Sequence, residues 1–323
     1  MSSDLVSIIV PTLNKEVWIK GLLRNIHAQT YRPVEVLVVD GGSTDGTIEN
    51  VRQLSLQLSS ENFRIDLISE RDFGSLRTAG NAKNIGVRTA KGSKIVFLDP
   101  DMRFLQEDNL DDLAAQLDSH PFVQVKTHFL LDTDLERSLA KFHPASHHCG
   151  YRREIFDNIN FNPVLGYGED KDFWYRAQRD LGLGMNYVCD VTIGRHLPHT
   201  KTEYLHQTLW YARTMPAFIS NAAKEGEERY LEEASVWLMY WAYALLIAGV
   251  IPLAFKDCVL KKGVDHSFRF LLWDYLVRRF SSAVQFSLSA LNQHSLTLPA
   301  FLLVRSLRKR FFTTTSRHST DWD

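Results

Sequence analysis

In the first hundred residues, short apolar runs alternate with stretches of helical periodicity, and this alternation confines the chain to one class of architecture. Residues 6–10 (Val-Ser-Ile-Ile-Val) read as a strand that stops at Pro11. Residues 18–28 follow with Trp18, Leu22, Leu23 and Ile26 spaced along one helix face, and residues 34–39 form a second strand. Asp40-Gly-Gly-Ser-Thr-Asp-Gly46 is a turn-rich loop, and residues 47–58 are again helical. A strand at 63–68, a helix at 80–89 and a strand at 94–98 continue the series. Helices between strands imply a largely parallel sheet, with ligands bound beyond the carboxyl ends of the strands. The expected fold class is therefore α/β, a mostly parallel sheet flanked by helices.

Polar clusters fall at those carboxyl ends. Pro11-Thr12-Leu-Asn14-Lys-Glu16 follows the first strand, Asp40 follows the second, and Asp99-Pro-Asp101 follows the strand Ile95-Val-Phe-Leu. Each alone reads as loop filler or a tight turn, but their placement along one edge points to a shared ligand. Carboxylates at a strand's end are placed to hold a hard divalent ion, Mg²⁺ or Mn²⁺, against a diphosphate. Hydride transfer on a dinucleotide is disfavoured, because the turn after the first strand has no Gly-x-Gly-x-x-Gly to let a pyrophosphate approach. A second acidic cluster, Gly166-Tyr-Gly-Glu169-Asp170-Lys-Asp172-Phe-Trp-Tyr-Arg176, reads as a loop entering a helix. Phe173 and Ala177 are spaced to bury one face, and Arg176 to reach back toward the acids. Capping of the helix N-terminus is the alternative, a contribution of about 1 kcal/mol, though two adjacent acids exceed what a cap needs.

The segments Ser7-Ile-Ile-Val-Pro-Thr-Leu-Asn14, Val38-Val-Asp-Gly-Gly-Ser-Thr-Asp-Gly-Thr47, Gly80-Asn-Ala-Lys-Asn-Ile-Gly86, Val96-Phe-Leu-Asp-Pro-Asp101 and Gly168-Glu-Asp-Lys-Asp-Phe173 together resemble the family 2 nucleotide-sugar glycosyltransferases, which have the GT-A fold. The resemblance spans about two-thirds of the chain. It implies that Pro11, Thr12, Asn14 and Glu16 line a nucleotide pocket. Asp40 would then accept a hydrogen bond from the base, uracil if the donor is a UDP-sugar. Asp99 and Asp101 match the family's DxD element, with Asp101 as the direct metal ligand and Asp99 on ribose or a metal-bound water. Lys83 would reach the ribose or phosphates; its alternative is a solvated helix lysine. Asp170 would be the general base and Glu169 would orient the acceptor sugar, giving direct displacement with inversion. His196 and His199 are candidates for a place near the metal or diphosphate. Gln207, Trp210 and Arg213 resemble, without matching, the Gln-x-x-Arg-Trp of processive synthases, so addition of single sugars is expected.

A base favours a glycan hydroxyl over a polyprenyl or dolichyl phosphate, whose oxygen is already ionised. The phosphate acceptor remains the rival enzyme, and a non-catalytic sugar-nucleotide-binding scaffold the rival of another class. The chain has 323 residues and a net charge of −1, so no nucleic-acid partner held by bulk electrostatics is expected. Cys149, Cys189 and Cys258 form neither a disulfide framework nor a zinc pattern. No signal peptide is read at the start, so a cytoplasmic catalytic domain is expected over 1–222. Residues 223–312 read as a helical, amphipathic region. The uncharged run 236–255 is long enough to cross a bilayer of about 30 Å, but its basic flank opposes the positive-inside tendency. With the basic aromatic stretch 268–280 and the basic cluster 305–310, it reads as resting on the inner membrane face, or as a packing or dimer surface. Residues 313–323 read as a tail.

Overall fold

The computed structural model describes residues 5–74, 76–131, 146–183 and 188–225; the features expected at 236–255, 268–280, 305–310 and 313–323 lie outside these residues. The order of elements is β1 (Val6–Thr12), α1 (Glu16–His27), β2 (Val34–Asp40), α2 (Thr47–Leu58), β3 (Phe63–Ser69), α3 (Ala79–Thr89) and β4 (Lys94–Phe97), as the periodicity predicts to within a residue or two. There follow β5 (Met102–Phe104), α4 (Asn109–Ser119), β6 (Phe122–Leu130), β7 (Ser146–Arg152), α5 (Glu169–Leu181), β8 (Val188–His196) and α6 (Lys201–Glu225). The chain divides into two compact units, Met1–Tyr204 and Leu205–Asp323. The first holds every strand among the described residues, and the described part of the second is the remainder of α6, with Pro216 inside the helix. Among the described residues no helix is long and apolar enough to cross a membrane.

The strands form one sheet in the order β3-β2-β1-β4-β7-β6-β8-β5. The pairs β1–β2, β2–β3, β1–β4 and β6–β8 are parallel, whereas β4–β7, β6–β7 and β5–β8 are antiparallel. The chain first builds away from β1 through β2 and β3, then returns to place β4 on the other side. That reversal opens a crevice at the carboxyl ends of β1 and β4, where an open α/β sheet binds its ligand.

Alternation along the central strands feeds two cores. Ile8, Val10, Val36 and Val38 pack with α1, α2 and α4 on one face through Leu22, Ile26, Val51 and Leu113. Ile9, Leu37, Val39, Ile95 and Phe97 pack on the other with α3 and α5 through Ile85, Phe173 and Ala177. A sheet covered on both faces needs strands that are largely apolar, and the polar exceptions Ser7 and Glu35 are buried together, the Ser7 hydroxyl donating to Glu35 Oε1 at 2.6 Å.

One boundary differs from expectation. β1 does not stop at Pro11 but continues to Thr12, paired with Asp40 of β2. The Ile9 carbonyl accepts from Leu98 on the β4 side, so by alternation Pro11 turns its missing N–H to that same side. The β1–β4 ladder ends at Ile9 and Phe97, so no partner there lacks a donor.

Gly86 of α3 lies against the Ile9 side chain, and a Cβ at that position would overlap Ile9 Cγ2. Gly86→Val should therefore lift α3 off the sheet and destabilise the protein by about 1–3 kcal/mol. Thermal unfolding checks this, and an unchanged midpoint would mean that α3 does not sit so close to β1.

Candidate active site

The crevice is built from the loops that leave β1, β2 and β4 and from the start of α5. The first two loops are fastened to each other. Asn14, in the left-handed region at φ 52°, donates its backbone N–H to Ser43 Oγ at 2.8 Å, and its Oδ1 accepts from the Thr44 N–H at 2.8 Å. Glu16 Oε2 accepts from the Gly46 N–H at 2.7 Å. Asp40 is buried and folds its own loop: Oδ2 accepts from the Gly42 and Ser43 N–H groups at 2.8 and 2.9 Å, and Oδ1 from the Ser43 hydroxyl. This is the tight-turn role open to Asp40 in the sequence. The Thr12 hydroxyl is buried at the end of β1 and makes no hydrogen bond among the described residues.

Beyond β4 the chain turns at once. The Asp99 carbonyl accepts from the Met102 N–H at 3.0 Å, so Asp99, Pro100 and Asp101 occupy a tight turn. The turn is held from both sides. Arg103 Nη1 donates to the Pro100 carbonyl at 3.0 Å and Nη2 to the Trp18 carbonyl at 3.1 Å, while the His196 N–H donates to the Asp101 carbonyl at 2.9 Å. The end of β8 thereby lies beside the two acids. Arg195 Nε is 3.4 Å from Asp101 Oδ2, and its Nη2 is 3.7 Å from Asp99 Oδ2.

The second acidic cluster is brought in by α3, and the segment Gly80-Asn-Ala-Lys-Asn has a local reason at several positions. Gly80 leaves room for the Asn162 carbonyl, and its N–H donates to the Leu165 carbonyl at 3.1 Å. Asn84 grips the Phe161 backbone with both ends of its amide, at 2.8 and 3.0 Å. Thr78 Oγ1 caps the N-terminus of α3 through the Asn81 N–H and donates to the Pro163 carbonyl. The chain between 161 and 165 is thus laid along α3 just before it enters α5 through Gly168, in the left-handed conformation at φ 71°. Lys83 Nζ then reaches Glu169 Oε1 at 2.8 Å, with both side chains about nine-tenths buried. The ammonium sits 5.1 Å from the Phe161 ring centroid and 5.6 Å from that of Phe97, a cation–π setting.

Lys83 is therefore not a solvated helix lysine: it is buried, and its ammonium pairs with Glu169. Arg176 does reach back along the helix as expected, but to the wholly buried Asp172, at 2.6 Å. That leaves Asp170 on the first turn of α5, with Oδ1 accepting from the Lys171 N–H at 2.9 Å.

Electrostatics ties the clusters together. Burial works against the Lys83 ammonium, but Glu169, Asp170 and Asp99 outweigh it and raise its pKa above that of an ordinary lysine. Burial likewise pushes the Glu169 carboxyl from 4.5 up to about 7, with Lys83 pulling it down and Asp170 pushing it further up. Asp99 and Asp170, 71 positions apart in the sequence, act on the same buried cation. Glu70, which the sequence did not single out, is also buried; it accepts from Asn81 Nδ2 at 2.8 Å, and burial raises its pKa.

Asp99 and Asp101 offer the hard oxygen donors that Mg²⁺ or Mn²⁺ takes, and such ions need few protein ligands when a diphosphate and water complete the shell. The expected set of Asp99, Asp101, His196 and His199 is not assembled in advance, however. Among the described residues no group of three or more His, Cys, Asp or Glu side chains is arranged to hold a metal ion. Arg195 lies against both acids, and the His196 and His199 rings pack on Trp18 with centroids at 4.7 and 4.5 Å.

Comparison with known proteins identifies the family and the fold. The glycosyl transferase family 2 model matches residues 7–163. A PGL/p-HBAD biosynthesis glycosyltransferase of Mycobacterium tuberculosis is 31% identical over 199 residues, covering 58% of this chain and 75% of that protein. The glycosyltransferase GlyG of Streptococcus pneumoniae is 30% identical over 115 residues, 36% of each chain. Among solved structures, a mannosyltransferase from Pyrobaculum calidifontis in complex with GDP-Man and Mn²⁺ superposes with a TM-score of 0.53 at 20% identity, covering 96% of this chain and 88% of that one. That likeness is one of fold.

Replacing Lys83 by Met isolates the Glu169 carboxylate in an apolar nest. Because Glu169 holds its proton to about 7 when folded and to 4.5 when unfolded, its contribution to stability falls as pH rises through that window. Without Lys83 the folded value rises further, so the window extends upward. Lys83→Met should therefore cost about 3–5 kcal/mol at pH 8 and markedly less at pH 5, read from unfolding midpoints at both. An equal cost at both would contradict the pairing.

Proposed function

The chain belongs to glycosyltransferase family 2, and from that premise we propose that it is an inverting enzyme that moves a sugar from a nucleotide-diphosphate donor to a glycan hydroxyl. The observation that carries this reading is the common influence of Asp99 and Asp170 on Lys83, which argues that the donor-side and acceptor-side carboxylates share one crevice. Family membership makes the chain an enzyme; the roles below are inferred from the arrangement of its residues.

The nucleotide lies over the carboxyl ends of β1 and β2, against Pro11, Thr12, Asn14 and Glu16. Asp40 contributes through the loop it folds, and UDP is the favoured nucleotide. Asp99 and Asp101 face the diphosphate. A bound Mg²⁺ or Mn²⁺ would neutralise the charge that gathers on the leaving diphosphate. On the opposite side Asp170 accepts the proton of the acceptor hydroxyl as its oxygen attacks the anomeric carbon. The bond to the diphosphate oxygen breaks as the new glycosidic bond forms, so the configuration at that carbon inverts. Glu169, held by Lys83, fixes the first turn of α5 and so sets where Asp170 points. A phosphate acceptor is already ionised at neutral pH and would give Asp170 nothing to do, which disfavours polyprenyl phosphate.

Asp170→Asn keeps the shape of the side chain and removes its basicity. Turnover with a UDP-sugar should fall about 10²- to 10⁴-fold, while UDP binding in the presence of Mn²⁺ changes little. Retained turnover would remove Asp170 as the base and restore the phosphate-acceptor reading. Asp101→Asn should bring UDP affinity at saturating Mn²⁺ down toward its metal-free value in calorimetric titration. Unchanged affinity would exclude Asp101 from the diphosphate side of the site.

A further inference from the structure

One guanidinium touches both acids of the Asp99-Pro-Asp101 turn. Arg195 uses two different nitrogens, Nε toward Asp101 Oδ2 at 3.4 Å and Nη2 toward Asp99 Oδ2 at 3.7 Å. Its position is not incidental. Antiparallel pairing sets Arg195 opposite Met102, immediately after the turn, and parallel pairing sets it opposite Phe129 of β6, so the backbone bearing it is fixed on both sides. The adjacent His196 N–H also bonds the Asp101 carbonyl. Asp101 keeps 18% of its side-chain surface, Arg195 25% and Asp99 37%, so the three are exchangeable rather than sealed.

We infer that Arg195 is a resident counter-charge for Asp99 and Asp101, which the two carboxylates must exchange before they can serve a divalent cation. This rests on the reading of Asp99 and Asp101 as the metal-side acids. The consequence is an order of events. While Arg195 neutralises the pair, the turn has little attraction for a bare cation, and the carboxylates exchange their partner only when a diphosphate arrives with the cation to supply the remaining ligands. The guanidinium displaced in that exchange stays beside the diphosphate.

The test uses the full-length protein and Mn²⁺ alone, with free Mn²⁺ followed by electron paramagnetic resonance. Without nucleotide, Arg195→Gln should bind Mn²⁺ about three- to tenfold more tightly than the natural protein, as expected for losing two partly exposed ion pairs. Arg195→Lys keeps the charge without the fork and should fall between the two. A parallel titration with UDP present separates the two readings. If Mn²⁺ binds with UDP, and Asp101→Asn abolishes that binding, but Arg195→Gln leaves the affinity for Mn²⁺ alone unchanged or weaker, Arg195 is not the counter-charge. If no protein binds Mn²⁺ even with UDP, the metal-side reading and the counter-charge both fall.

Discussion

An ammonium and a carboxylate are buried together where α3 meets α5, and the rest of the site hangs on that pair. Taking each ion out of water costs several kcal/mol, recovered only with close geometry and further hydrogen bonds or favourable dipoles. Lys83 and Glu169 meet this condition at 2.8 Å, over the rings of Phe97 and Phe161. Phe161 in turn stacks on Phe173 at 4.5 Å, so the apolar floor of the pair is also the core of α5. Shifting α5 by one residue would separate the charges and unstack the rings. The helix therefore has one register, and Asp170 has one place.

The same pair explains why the acids of the crevice can lie near one another. Asp99, Asp101, Asp170 and Glu169 would repel in an apolar setting, yet each has a cation within its reach. Lys83 serves Glu169, Asp170 and Asp99, and Arg195 serves Asp99 and Asp101. The two cations differ in a way that suits different tasks. Lys83 is buried and fixed, whereas Arg195 is partly exposed and exchangeable.

Much of the fold was legible in the sequence because a sheet covered on both faces demands largely apolar strands, and residues 6–10, 34–39 and 94–98 are apolar but for Ser7, Glu35 and Lys94. The edge on which Thr12, Asp40 and Asp99 gather follows from strand direction alone. What escaped was long-range pairing. Nothing local distinguishes Lys83 from a surface lysine, since its neighbours Asn81 and Asn84 are polar; only Glu169, 86 residues later, makes it a buried cation. Asn84 gave little signal because its partner is the backbone of Phe161, which any residue supplies. Arg195 stood beside two histidines whose metal chemistry drew attention away from it, and β8 had no reading of its own from which its register could be taken. Pro11 misled for the opposite reason: proline marks a strand's end only where a neighbour needs its N–H.

The convergence of these carboxylates on a bound donor is most directly tested by a crystal structure of the protein with UDP and Mn²⁺. The diphosphate is expected beside Asp101, with Asp170 facing the space that the donor sugar would fill and the Lys83–Glu169 contact intact. A nucleotide bound away from the ends of β1 and β4, or an Asp170 carboxylate turned away from the diphosphate, would contradict the proposed chemistry.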